Sequence, residues 1–300
     1  MNLGVVILNW NQADDTLACV RRVCGWPMDD IHLWVVDNGS CDADARRLAD
    51  ALPAAVTLLR SEANLGFAGG NNIALRQALQ ANCQAVMLMN NDAYVDADAA
   101  QQLCLALEQH PRIGILGPVL VDAEQPDRIL SAGGRDIAQH LVSHHLAPIR
   151  PGELRVVDYV PGTCVVIRAS LLREVGLFDE AYFFGGELAD LCLRAKHRGW
   201  LSAVTGSATV AHALSRSAAA RQQLHAYYVI RNRFRYIRKF YPRAKLGLFA
   251  LWTLFSLYEV GASLSHRQHA RARAVALGCL DGWRGRFGGQ NARVTRGQLA

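Results

Sequence analysis

Asn90-Asn91-Asp92 closes an apolar run, Ala85-Val86-Met87-Leu88-Met89. Two amides and a carboxylate at the end of a buried strand suit a hard divalent cation that also holds phosphate oxygens, as Mg²⁺ does. The same triplet is ordinary turn chemistry, so on its own it leaves both readings open. Other polar clusters repeat the pattern. Gly4-Val5-Val6-Ile7-Leu8 ends in Asn9-Trp10-Asn11, and Ile31-His32-Leu33-Trp34-Val35-Val36 ends in Asp37-Asn38-Gly39-Ser40. Asn64-Leu65-Gly66-Phe67-Ala68-Gly69-Gly70-Asn71-Asn72 precedes a helical Ile73–Leu79. A glycine-rich turn entering a helix offers N–H groups and a favourable dipole to an anion, or simply closes a tight turn. Glu187 and Asp190 open a helix that ends near Gly199. They share one face, yet acidic residues also favour a helix N-terminus without doing chemistry. His212 follows the strand-like Ser207–Val210; a lone histidine there is either a packing residue or a ligand.

These residues need a common edge. The runs at 4–8, 31–36 and 85–89 read as buried strands, and Asp15–Arg22 between the first two reads as a helix. Strand, helix, strand in that order makes a parallel crossover whose strand ends open on one side. Ligands of open α/β sheets bind beyond those carboxyl ends. Farther on, Pro118–Pro151 holds Gly133-Gly134 and His140, His144 and His145 without strong periodicity, and reads as an irregular β-excursion. Val156–Val160 and Cys164–Ile167 read as strands, and Leu171–Val175 as a short helix.

The combination resembles the glycosyltransferase family 2 enzymes and their GT-A fold, especially the bacterial polysaccharide-assembly, rhamnosyltransferase-like branch. The matching segments are Val5–Asn11, Val35–Asp42, Asn64–Asn72, Met87–Asp92, Gly162–Asp179 and Glu187–Trp200. Tyr227-Tyr228 and Arg231-Asn232-Arg233 extend the likeness. The resemblance implies an α/β fold with a mostly parallel sheet flanked by helices. It implies a nucleoside diphosphate sugar in the first half and an acceptor in the second. By position, Asp37 would hold the nucleobase, with Asn9, Asn64, Gly66, Asn72 and Asn90 also on the donor. Asp92 and His212 would hold Mg²⁺ or Mn²⁺, and Asn90 replaces the first aspartate of the family's DxD motif. The family's Glu-Asp-x-Asp reads Glu187-Leu188-Ala189-Asp190 here, so the usual base is missing. Glu187 is expected to act in its place, with Asp190 as the other candidate.

Charge divides the chain. Residues 1–220 carry 17 Lys and Arg against 24 Asp and Glu, net −7, and residues 221–300 carry 15 against 2, net +13. This predicts a catalytic domain over 1–220 and a basic, apolar helical extension over 221–300. Leu246–Leu264 has one charge, Glu259, in nineteen residues. Ahead of it, Phe234, Tyr236, Phe240 and Tyr241 interleave with basic residues, a pattern that describes a peripheral membrane segment; a helix packed on the protein is the alternative, and Glu259 and the short length disfavour a transmembrane span. No nucleic-acid module accompanies the charge, which argues against a nucleic-acid partner. Eight cysteines without a C-x-x-C pair read as reduced core residues of a cytoplasmic protein. An N-terminus that begins directly with a strand predicts no signal peptide.

The expectation is a metal-dependent, inverting glycosyltransferase at the cytoplasmic membrane, acting on a glycan or lipid-linked acceptor. The competing reading is a non-catalytic nucleotide-sugar-binding or scaffold subunit. A nucleotidyltransferase is disfavoured because the glycine-rich loop lacks basic residues.

Overall fold

The computed structural model describes residues 1–213 and 219–295. The apolar runs form β1 (Leu3–Asn9), β2 (Ile31–Asn38) and β4 (Ala85–Asn90), with α1 (Ala13–Cys24), α2 (Asp42–Ala51), β3 (Thr57–Ser61) and α3 (Gly66–Gln80) between them. β5 (Ala93–Tyr94), α4 (Ala97–Gln109), β6 (Ile113–Asp122), β7 (Ile129–Ser131), β8 (Leu154–Val156) and β9 (Cys164–Arg168) follow. The α/β part closes with α5 (Ala169–Val175), α6 (Glu187–Lys196) and β10 (Leu201–His212). The expected strand over Val156–Val160 is only the short β8, displaced towards the N-terminus.

The sheet runs β3-β2-β1-β4-β9-β6-β10-β5, with β7 beside β6 and β8 beside β10. β1 pairs in parallel with β2 and β4, and β10 with β6, while β9 lies antiparallel between β4 and β6. Registers place Asn9 beside Asp37 and Leu8 beside Asn90, so the polar strand ends do align. Strands covered on both faces read as continuous apolar runs, which is why these were legible. Alternation then sorts their side chains. Val6, Trp34, Val36, Val86 and Leu88 enter one core, and Val5, Ile7, Leu33, Val35 and Met87 the other. The first core includes α3 and α6 residues, and the second is closed by α1, α2 and α4.

The C-terminal helices are α7 (Ala219–Phe240), α8 (Lys245–Ser265), α9 (His269–Arg284) and α10 (Asn291–Thr295). The boundary expected near residue 220 adjoins residues 214–218, which lie outside the described ones. These helices share the first core: Leu224, Tyr227, Tyr228, Phe234, Phe249, Trp252 and Val275 belong to the same buried cluster as Val6 and Leu188.

The basic and aromatic stretch from Arg231 faces inward, not outward as its composition suggested. Arg231, Arg233, Phe234 and Tyr236 are buried. Arg231 stacks 4.7 Å from the Tyr228 ring and donates 2.8 Å to the Tyr182 carbonyl. Arg233 lies 4.2 Å over Trp252, and Arg235 pairs with Asp179 at 2.6 Å. Carbonyls, rings and a carboxylate replace the water these cations would otherwise need.

Candidate functional site

At the carboxyl edge of the sheet, His212 ends β10 opposite Ala93 of β5, immediately after Asp92. That short antiparallel pairing brings His212 Nε2 to 3.2 Å from Asp92 Oδ1, with both side chains largely buried. Asn90 is half-buried at the end of β4, its N–H held by the Thr163 carbonyl at 2.9 Å. Asn91 turns away and donates 3.0 Å to Thr16 Oγ1. Among the described residues no three His, Cys, Asp or Glu side chains converge on one point. One carboxylate and one imidazole fit a divalent cation that takes its remaining ligands from substrate phosphates and water; the oxygen ligands are those Mg²⁺ takes, and the imidazole is a transition-metal ligand.

Next to this pair opens a cleft of about 190 Å³, bounded by Trp10, Asn38, Asn64, Phe67, Arg221 and Tyr228. It joins the ends of β1 and β2 to the start of α3 and to α7. Asp37 lies just behind, almost fully buried, accepting from the Ser40 N–H at 3.3 Å with Arg60 at 3.6 Å. Arg221 reaches in from α7, donating to the Trp10 carbonyl at 3.1 Å and to Gln12 Oε1, and its guanidinium feels the charge of Asp92. Arg221, Asn38 and Trp10 were not among the expected site residues. Asn38 had a signal, because it follows Asp37 at the end of β2. Arg221 had none, because its partners are more than two hundred positions away.

The glycine-rich stretch is built differently from the expected anion loop. α3 begins at Gly66, not at Ile73, so the glycines form its first turns. Gly66 has φ +72°, and a Cβ there would sit 2.2 Å from the Phe183 carbonyl oxygen. Three N–H groups at this entrance are already used. Leu65 donates to Asn38 Oδ1 at 2.9 Å, Gly66 to Asn64 Oδ1 at 2.8 Å, and Ala68 to the Phe183 carbonyl at 3.2 Å. Gly70 lets the helix lie against β1 and β2, since a Cβ would meet Leu8 at 2.6 Å and Asn38 at 3.1 Å. The stretch thus packs the helix tightly against the cleft.

Two of the expected donor contacts are occupied within the protein. Asn9 is buried, accepts from Thr16 Oγ1 at 2.7 Å and donates to Ser40 Oγ and Asp44 Oδ2 at 3.0 and 2.8 Å. Asn72 is buried, donates to the Phe178 carbonyl and Glu180 Oε1, and accepts from the Phe178 N–H. Both are buried and position loops, with both amide hydrogens of each already donated.

On the far side, Phe183, Gly185 and Gly186 all have positive φ, 64°, 79° and 100°. A non-glycine residue held there is strained, which the surroundings must enforce. Asn232 does so, donating to the carbonyls of Tyr182 at 3.0 Å and Phe184 at 2.8 Å. The turn delivers Glu187 as the first residue of α6. Glu187 is buried, and its Oε2 has no hydrogen-bond partner among the described residues. Burial pushes its carboxyl up to about 7, against the N–H groups of Glu187 and Gly185, which pull it back. That is the range of a general base at neutral pH.

Asp190, the other candidate base, is instead the fastening of α6. It is fully buried between Arg194 Nε at 2.6 Å, Lys239 Nζ at 2.6 Å and the Tyr182 hydroxyl at 3.1 Å. Both of its oxygens are thus committed to partners within the fold. Leu188, where the base was missing, is buried near Gly162 and Phe67.

Comparison with known proteins adds four likenesses. The family whose sequence model matches residues 2–236 is described as glycosyltransferase like family 2. A low-salt glycan biosynthesis hexosyltransferase of Haloferax volcanii is 24% identical over 206 residues, 65% of this chain and 62% of that one. An N-acetylglucosaminyl-diphospho-decaprenol L-rhamnosyltransferase of Mycobacterium tuberculosis is 29% identical over 208 residues, 61% of this chain and 66% of that one. The matches thus span slightly less than two thirds of these curated relatives. Among solved structures, a Pyrobaculum calidifontis mannosyltransferase in complex with GDP-Man and Mn²⁺ superposes with a TM-score of 0.61 at 15% identity, covering 95% of this chain and 88% of that one.

Proposed function

The chain belongs to the family described as glycosyltransferase like family 2, and on that premise we propose that it moves a sugar from a nucleoside diphosphate sugar to an acceptor hydroxyl, with inversion. The observation that carries this reading is the pairing of two unlike sites. The Asp92–His212 pair ends strands at the carboxyl edge of the sheet, and Glu187, a buried carboxyl raised to about 7, begins α6; these support a donor site and an acceptor-side base.

The donor lies in the cleft at the strand ends, its base towards Asp37 and its diphosphate towards Asp92 and His212. A divalent cation, Mg²⁺ or Mn²⁺, held there by Asp92 and His212 beside Asn90, would neutralise the departing diphosphate. Arg221 adds a fixed positive charge on the same side. Trp10 and Phe67 form apolar walls that keep water from the reacting carbon. Glu187 takes the proton of the acceptor hydroxyl as that oxygen bonds to the anomeric carbon and the bond to the diphosphate breaks. One displacement with one base inverts the anomeric centre.

The acceptor is a membrane-borne glycan on a lipid carrier, in cell-surface polysaccharide assembly on the cytoplasmic face. The decaprenol-linked substrate in the name of the mycobacterial relative supports this class. A second reading, a donor-binding subunit without turnover, draws on Leu188, which puts an apolar side chain where the family has its base. Assigning the anomeric configuration of the product, with polyprenyl diphosphate glycans as acceptors, tests the first reading. A retained configuration would contradict the single displacement.

A further inference from the structure

α8 presents two opposite faces. Phe249, Trp252, Ser256 and Ser263 are buried against the protein. Trp252 lies under Arg233 and donates to the Ala138 carbonyl at 2.8 Å. On the other side Leu246, Leu254, Leu257 and Tyr258 are exposed by 77, 66, 63 and 69%, and Leu251 and Leu264 are also exposed. Gly247, Ala250 and Gly261 fill the spaces between them. At 3.6 residues per turn these positions fall within an arc of about 140°, a strip roughly 27 Å long. Trp283 of α9 is exposed beside it, its indole donating to Thr253 Oγ1 at 2.8 Å.

No charge lies on the strip. Glu259, the single charge in this stretch, sits off its edge and pairs with Arg271 of α9 at 2.8 Å. Basic residues stand at both ends. Arg243 precedes α8, Arg267 and His269 follow it, and Arg284 lies beside Trp283, all exposed. Among the described residues, Arg243, Arg267 and Arg284 make no ion pair.

We propose that this strip is the surface by which the protein lies on an anionic lipid bilayer, with α8 in the plane of the interface. A helix whose opposite face is committed to the protein core has no second apolar face to give to lipid, so it lies along the membrane and does not cross it. Apolar side chains between basic ends match an acyl layer edged by anionic headgroups, and Tyr258 and Trp283 suit the interfacial zone. A second copy of the chain fits poorly. Pairing two strips in either direction sets one basic end against another. The proposal deepens the reading of a membrane-borne acceptor and rests on it for its purpose, but vesicle binding needs neither donor nor acceptor. Its failure is therefore distinct from a failed transfer assay.

The test is flotation of the full chain with vesicles of phosphatidylcholine containing phosphatidylglycerol, and with phosphatidylcholine alone. The wild type is expected to float with the anionic vesicles, less with neutral ones, and less again in high salt. The Leu254→Glu, Leu257→Glu double variant should lose on the order of tenfold or more of that binding, since burial of one leucine is worth about tenfold. Its thermal unfolding and nucleotide binding should match wild type; Leu254→Ser, Leu257→Ser serves where the glutamate pair fails to fold. Equal flotation of a folded variant, or no flotation of wild type, overturns the proposal. A wild-type dimer that the variant dissociates without loss of flotation assigns the strip to a homodimer instead.

Discussion

His212 Nε2 lies 3.2 Å from Asp92 Oδ1, although 120 positions separate them in the chain. The β5–β10 pairing makes the contact. It sets an imidazole and a carboxylate at the sheet edge, with Asp92 close enough for its charge to act on Arg221, which lines the cleft.

Asp92→Ala should abolish transfer and metal-promoted nucleotide binding while thermal unfolding stays close to wild type. His212→Ala should weaken both, more at low metal concentration. Titration of nucleotide with and without Mn²⁺ measures this, and transfer that persists in saturating chelator would contradict it.

Glu187→Gln should lower the turnover rate by roughly 10²–10⁴-fold with donor affinity unchanged. In the wild type kcat/KM should rise with pH to a plateau above about 7, as the carboxyl raised to that value by burial loses its proton. The variant should lack that limb. Stability moves the other way. A carboxyl raised from 4.5 to about 7 in the fold binds a proton that the unfolded chain has released, so stability falls as pH rises between those values. Glu187→Gln should therefore be more stable than wild type at pH 8, by up to about 3 kcal/mol, and nearly equal at pH 4.

Asp190→Asn tests structure, not chemistry. Removing the charge weakens its bonds to Arg194, which keeps the Val175 and Leu177 carbonyls, and to Lys239, which keeps Asp179, a loss of about 1.5–3 kcal/mol. Thermal unfolding should show it. A variant of wild-type stability and no turnover would return Asp190 to the role of base.

Asn232→Ala would free the carbonyls of Phe184 and Gly185, Tyr182 keeping its Arg231 donor, and release the strained turn ahead of Glu187. Turnover should drop while donor affinity holds, with a stability cost of about 1–3 kcal/mol for the unpaired carbonyls. Equal losses in kcat and donor binding would mean the turn serves the donor site as well.

The strand ends were legible because β1, β2 and β4 are buried on both faces and so read as unbroken apolar runs. Asp37, Asn90 and Asp92 could therefore be set on one edge of the sheet, where β2 and β4 end. The start of α3 was not legible. Three glycines argue against helix by propensity, and the close approach of Phe183 to Gly66 and of Leu8 and Asn38 to Gly70, seen only in the fold, explains two of them. The arginines of α7 misled for a related reason. Charged side chains are normally exposed, and the carbonyls and rings that bury Arg231 and Arg233 come from distant parts of the chain. The apolar strip of α8 was visible as composition, whereas which face is free required the fold.

The central claim is turnover. The most direct measurement is release of nucleoside diphosphate by the purified full chain, with Mn²⁺, a panel of nucleotide sugars and a polyprenyl diphosphate-linked glycan. At least one donor should yield free diphosphate that depends on acceptor and falls by the predicted 10²–10⁴-fold in Glu187→Gln. Binding of a nucleotide sugar with no acceptor-dependent release from any donor would contradict the account and leave a donor-binding subunit in its place.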